Sequence, residues 1–267
     1  MTPTSPPEPL PLTSGRPVDR DLADRTMHAL HLAGLPIAHG GHGPGVHLRP
    51  AQPLDDDDRC DGLIALHWIP SPRLTAAAAT EQHQQPAHRA QQLVVNAVQH
   101  ALTSILPALG AAAAQSFTLW EIRVGHATPP AVELASPPLP RPTGPAPVAP
   151  GIRPEITAAV RRSAALAGLP VADRPGDPGI LLRPCPPLDV EDDTTGIPDL
   201  GWNPSRRLTA TPGRAAWNLR EAVEDAMRPT LATALGACGL EAWWRKPEHL
   251  PAQLRAYGPS TAQPIRR

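Results

Sequence analysis

The sequence predicts an α+β protein formed by tandem internal duplication. Each of its two modules has the order α-β-β-β-α(-β), a three-stranded antiparallel sheet packed by two helices. A proline-rich linker joins the modules, which can pack as a pseudo-two-fold pair. Three observations carry this expectation. Residues 32–76 and 166–210 align without a gap, and about half of the 45 positions are identical, against about two or three expected by chance. A long apolar stripe at helical spacing follows each copy. Between the copies lies TPPAVELASPPLPRPTGPAPVAPGIRP, a semi-extended spacer by composition.

In the first copy, Leu22, Thr26, Ala29, Leu30 and Ala33 recur at helical spacing, and Gly34 followed by Pro36 is a stop signal. The second copy opens with PEITAAVRRSAALAG and stops at Gly168 and Pro170. Strand candidates follow at Leu35–Ala38 and Val46–Arg49, joined as a hairpin by HGGHGPG, with Leu169–Ala172 and Ile180–Arg183 as counterparts joined by DRPGDPG. An acidic loop leads to a third strand candidate at Leu63–Trp68 or Ile197–Trp202, where Pro198 is a poor interior strand residue.

The next helix carries Ala90, Leu93, Val94, Ala97, Val98, Ala101, Leu102, Ile105, Leu106 and Leu109 as one stripe. In the second copy Trp217, Ala222, Val223, Ala226, Met227, Leu231, Ala234 and Leu235 repeat the pattern, with Pro229 expected to kink it. SFTLWEIRVG, residues 116–125, reads as a final strand, and GLEAWW as its counterpart. The boundaries that follow are a flexible proline-rich tail at 1–17, a first module at 18–127, a linker at 128–151, a second module at 152–246 and a C-terminal tail at 247–267.

A net charge of -1 and a pI near 6.8 remove most of the electrostatic attraction on which non-specific nucleic-acid and anionic-membrane binding rely. Lys246 is the only lysine, and the Ala, Pro, Gly and Arg bias is typical of GC-rich coding, as in actinobacteria. The module order matches the double-stranded RNA-binding domain in topology. Such domains grip phosphates with lysine-rich helix starts, which this chain lacks, so no family membership is inferred. Cys60, Cys185 and Cys238 form no CxxC pair and are not duplicated, which argues against a disulfide or zinc framework. No apolar segment has the length of a membrane span or the form of a leader, and a cytoplasmic protein is expected.

The segment kept best in both copies is W-x-P-S-x-R-L-T-A, at Trp68–Ala76 and Trp202–Ala210. Two readings fit it. As structure, Trp plugs the core at the strand end, Pro and Ser shape the turn, and Thr75 or Thr209 begins the approach to the next helix. As a surface, Arg73 and Arg207, with Arg49, Arg183, Trp68 and Trp202, form a duplicated binding face for an acidic partner. Acidic loops occur in both copies, with Asp55, Asp56, Asp57 and Asp58 in the first and Asp189, Glu191, Asp192 and Asp193 in the second. Their spacing is not that of a calcium loop, so a solvated acidic surface suited to a basic partner is expected.

Ten of the eleven histidines precede the linker. His39, His42, His47 and His67 are the candidate metal ligands among them, but their spacing fits no known ligand motif and the second copy has none of them. No metal or other cofactor is expected. G-x-S-x-G, P-loop and dinucleotide-binding signatures are absent, and Ser71 has no histidine counterpart to act as its base. The function expected from sequence is therefore a non-catalytic protein-binding or adaptor protein. The alternatives are a nucleic-acid-associated regulator with an arginine face, or a metal or enzymatic site confined to the histidine-rich first module.

Overall fold

The computed structural model describes residues 18–38, 43–53, 63–80, 85–116, 121–125, 151–174, 176–185, 195–245 and 253–260. The N-terminal half contains α1 (Arg20–Ala33), β1 (Gly45–Pro50), β2 (Ile64–Ile69), α2 (Pro72–Thr80), α3 (Pro86–Ala108), β3 (Ala112–Ser116) and β4 (Glu121–Gly125). The C-terminal half repeats the order as α4 (Pro154–Ala167), β5 (Gly179–Pro184), β6 (Pro198–Asn203), α5 (Arg206–Ala210), α6 (Arg214–Ala237), β7 (Leu240–Arg245) and β8 (Gln253–Pro259). The fold is α+β, with two antiparallel sheets ordered β1-β2-β4-β3 and β5-β6-β8-β7.

Each sheet thus has four strands, not the three expected from sequence, and each half runs α-β-β-α-α-β-β. Leu35–Ala38 and Leu169–Ala172 are not hairpin strands. Each makes one parallel bridge, Ile37 to Val46 and Val171 to Ile180. The Val46 N–H donates to Pro36 O, and the Ala38 N–H donates to Val46 O. The approach is so close that a Cβ on Gly45 (φ 131°) would lie 2.6 Å from the Pro36 carbonyl oxygen; Gly179 repeats the arrangement against Pro170. The counterpart of β4 is β8, not GLEAWW, which forms the edge strand β7. Residues 253–259, read from sequence as tail, supply a strand whose Leu254 and Ala256 are fully buried.

Pro198 is accommodated because Cys185 donates its N–H to Ile197 O, which places Pro184 and Pro198 opposite each other at a position without ladder hydrogen bonds. The contact on its other side is reduced: β6 meets β8 at Asp199 and Arg255 alone, where β2 and β4 share three paired positions. The stripes on α3 and α6 face the core, except that Leu93 and Trp217 at their N-terminal ends are exposed. Helix α6 is continuous through Pro229. The repeated motif also starts a short helix in each half that the sequence pattern did not show. Ser71 Oγ accepts the Leu74 N–H at 3.2 Å and Ser205 Oγ accepts the Leu208 N–H at 3.3 Å, holding the starts of α2 and α5.

The two halves share one apolar core, in which α3 and α6 make the most extensive helix–helix contact. Their joint is reciprocal. Trp68 Nε1 donates to Ala167 O at 3.1 Å, and Trp202 Nε1 donates to Ala33 O at 2.7 Å. The Ser71 N–H donates to Leu166 O at 3.1 Å, and the Ser205 N–H to Leu32 O at 2.9 Å. Helix ends leave carbonyls without intrahelical partners, so each first helix has its last turn completed by the motif of the opposite half. Glycine is required where they meet. Gly34 and Gly168 are left-handed (φ 77° and 78°). A Cβ on Gly34 would lie 2.8 Å from Pro178 Cβ, and one on Gly168 2.9 Å from Pro44 Cβ.

Trp202→Phe leaves the Ala33 carbonyl buried and unanswered, so it is expected to cost about 1–3 kcal/mol, and Trp68→Phe about the same. Chemical denaturation should show a single transition displaced as a whole by either substitution. Two transitions, with only one displaced, would show that the halves unfold independently.

Candidate functional site

The structure divides the sequence-selected residues into groups with different surroundings. Trp68 and Trp202 are buried in the core and engaged across the joint. Arg73 is exposed on α2. Arg207 lies on α5, which packs against α1 of the other half. His28 of α1 has its pKa held below the ordinary 6.5, first by burial and then by the charges of Arg207 and His31. Arg49 is held by Glu121, with Nη2 2.7 Å from Oε2 of a fully buried carboxylate. Arg183 is exposed and makes no hydrogen bond or ion pair among the described residues.

Strand register explains the contrast between Arg49 and Arg183. On the sheet face turned away from the helices, Arg49, Ala65, Arg123 and Ala114 form one row across β1-β2-β4-β3. The matching row across β5-β6-β8-β7 is Arg183, Asp199, Arg255 and Trp243. In the first sheet Glu121 binds both arginines, with Arg123 Nε at 3.4 Å from Oε1 and Arg123 Nη2 donating to Gln52 O at 2.5 Å. In the second, Gln253 stands two residues before Arg255, as Glu121 stands before Arg123. Its Oε1 takes Nε and Nη2 of the buried Arg255, each at 3.2 Å, and Cys185 Sγ at 3.2 Å. The carboxylate of this row is Asp199, which accepts the Leu254 N–H at 3.0 Å. Burial raises its pKa, with the Leu254 N–H and the charges of Arg183, Arg228 and Arg255 opposing.

The row ends on Trp243, 61% exposed, with Trp244 on the opposite face of the same edge strand at 41%. Trp243 Nε1 donates to Glu241 Oε1 at 3.3 Å, which fixes the ring beside the row. Sequence reasoning missed Glu121, Arg123, Asp199, Arg255 and Trp243. The signal available was alternation: E-I-R and Q-L-R put two polar side chains on one face of a strand whose other face is apolar.

His47 and His67 stand opposite each other on β1 and β2, and His47 Nε2 lies 3.1 Å from Gly43 O. His39 and His42 lie outside the described residues, as do Asp55 to Asp58 and Asp189, Glu191, Asp192 and Asp193. No group of three potential ligands comes together among the described residues. Among them, too, no helix is long and apolar enough to cross a membrane. Burial pushes the Cys238 thiol up to about 12, so it is unreactive at neutral pH.

Comparison with protein-family models, with curated proteins and with solved structures finds no match to this chain.

Two titrations test these environments. Asp199 has its folded pKa raised above the ordinary value, so its ionised form weakens the fold, and the penalty grows as pH rises through the folded pKa. Asp199→Asn keeps an acceptor for the Leu254 N–H. Its melting temperature at pH 7 should equal or exceed that of the unsubstituted protein, and the advantage should vanish below pH about 4. For His28 the folded pKa is lowered, so protonation destabilises the fold as pH falls through 6.5. Arg207→Gln should move the His28 imidazole titration, read by NMR, upward towards 6.5.

Proposed function

We propose that this chain is a non-catalytic protein-binding protein, built from two copies of one module fused as a pseudo-two-fold pair. The first copy is taken as 18–127. The second is taken as 152–260, extended from the sequence boundary to include β8. The working surface is the outer face and open edge of the second sheet. The observation that carries this reading is the exposure of Trp243 and Trp244 together on an edge strand.

The chain has only eight aromatic residues and builds its core largely from Ala, Leu, Val and Ile around Trp68 and Trp202. Leaving two tryptophans on one open strand forgoes the burial that large apolar side chains contribute elsewhere, about 25 cal/mol per Å². Tryptophan is also the residue type most enriched among side chains that dominate binding energy at protein interfaces. The corresponding edge strand of the N-terminal half is Ala112–Ser116, AAAQS, and offers no such side chain. The supporting contrast is therefore internal to the chain.

The test is capture of partners by the full-length chain, compared with Trp243→Ala and with Trp243→Ala/Trp244→Ala. Trp243 is 61% exposed, so the melting temperature of Trp243→Ala should stay within about 1–2 °C of the parent, in line with a surface change of about ±0.5 kcal/mol. A stoichiometric partner should be retained by the parent and lost by the double substitution. Equal capture by all three proteins would sink the assignment of this surface.

A further inference from the structure

We infer that the outer face of the second sheet docks an acidic, extended segment of a partner protein, its apolar side chain on Trp243 and its carboxylate on Arg183. This rests on the protein-binding reading above and names the partner's chemistry.

The two anchors lie in one row, separated by β6 and β8. Three strand spacings put them about 14 Å apart. An extended chain advances about 3.4 Å per residue, so the matching pattern is an apolar residue and a carboxylate about four positions apart. The interior of the row is already satisfied. Arg255 is buried and held by Gln253, and Asp199 accepts the Leu254 N–H. Only the ends are available.

Arg183 is available because of one exchange. Its counterpart Arg49 is bonded to Glu121, whereas the residue in Glu121's place is Gln253, which carries no charge to hold it. The charge of Arg183 reaches Asp199 and Glu224, but it bonds to neither. A planar guanidinium with open donors favours a carboxylate bound through two parallel hydrogen bonds. The first sheet lacks both anchors, with Arg49 engaged and Ala114 in the place of Trp243, so the site occurs once per chain.

Charge decides against a nucleic acid as the occupant. Polyanion affinity scales with the number of phosphates neutralised. Here Arg183 is surrounded by charges of both signs, Asp199 and Glu224 as well as Arg220 and Arg228, in a chain of net charge -1.

The experiment uses the full chain, labelled with ¹⁵N, and two synthetic ten-residue peptides. One has Phe and Glu four positions apart, and the other has Lys in place of Glu. The Glu peptide should shift the Trp243 indole and Arg183 Nε–H resonances and bind at 1:1 stoichiometry. Its affinity should fall at least tenfold in Arg183→Gln and in Trp243→Ala, and fall again in 0.5 M salt. The inference is overturned by equal binding of the Lys peptide, by shifts confined to other residues, by no shift at all, or by tighter binding of a single-stranded oligonucleotide. Partner capture that depends on Trp243 but is indifferent to Arg183→Gln and to salt would overturn the acidic-segment inference while leaving the protein-binding reading intact.

Discussion

The indole-to-carbonyl hydrogen bonds between the halves are the constraint on which the rest of the structure depends. A helix that ends inside a core must find partners for its last carbonyls. Helices α1 and α4 find theirs on the opposite half, at Trp202 with Ser205 and at Trp68 with Ser71. Each tryptophan therefore has two roles at once. Its ring fills the core at the end of a central strand, and its N–H closes a helix in the other half. Substituting any apolar residue of similar size preserves the first role and not the second. That is why the motif repeats W-x-P-S and not merely an aromatic position.

The same constraint explains the neighbouring glycines. For an indole to reach the final helical carbonyl, the turn after that helix must lie against the opposite Pro-Ser turn, with no room for a side chain at Gly34 or Gly168. The left-handed conformation that ends the helix also needs glycine. Steric clearance and backbone conformation thus select one residue type twice. Away from the joint the demand relaxes: α5 has 5 residues where α2 has 9, and the two outer sheet faces carry different charges.

Legibility in the sequence follows the same division. The repeated motif, the first helices with their glycine stops, and the long apolar stripes were all readable, because local spacing and core contact impose them together. The fourth strand was not. Ala112–Ser116 has no β-branched or aromatic residue to signal a strand, and Gln253–Pro259 follows a stretch punctuated by Pro247 and Pro251. Its strand character comes from Leu254 and Ala256 being buried, which is a tertiary fact. The charged rows were legible only as alternation within one strand, because Arg49 and Glu121 are 72 residues apart and become neighbours only through strand register. Arg49 and Arg183 look equivalent in an alignment, and the residue that separates their fates lies outside the aligned segment.

That separation has a physical logic in two linked changes. Gln253 stands where the first sheet has Glu121, so the residue two before the arginine is a neutral acceptor in the second sheet and a carboxylate in the first. Asp199, where the first sheet has Ala65, returns a carboxylate to the row one strand away. There it is held by the Leu254 N–H and not by the exposed arginine. The Asp199 charge is felt by Arg183 and, less strongly, by Arg255, and it makes no ion pair with Arg183. A symmetric homodimer would have to make both changes on both faces. A single chain can carry a different charge pattern on each of its two sheet faces.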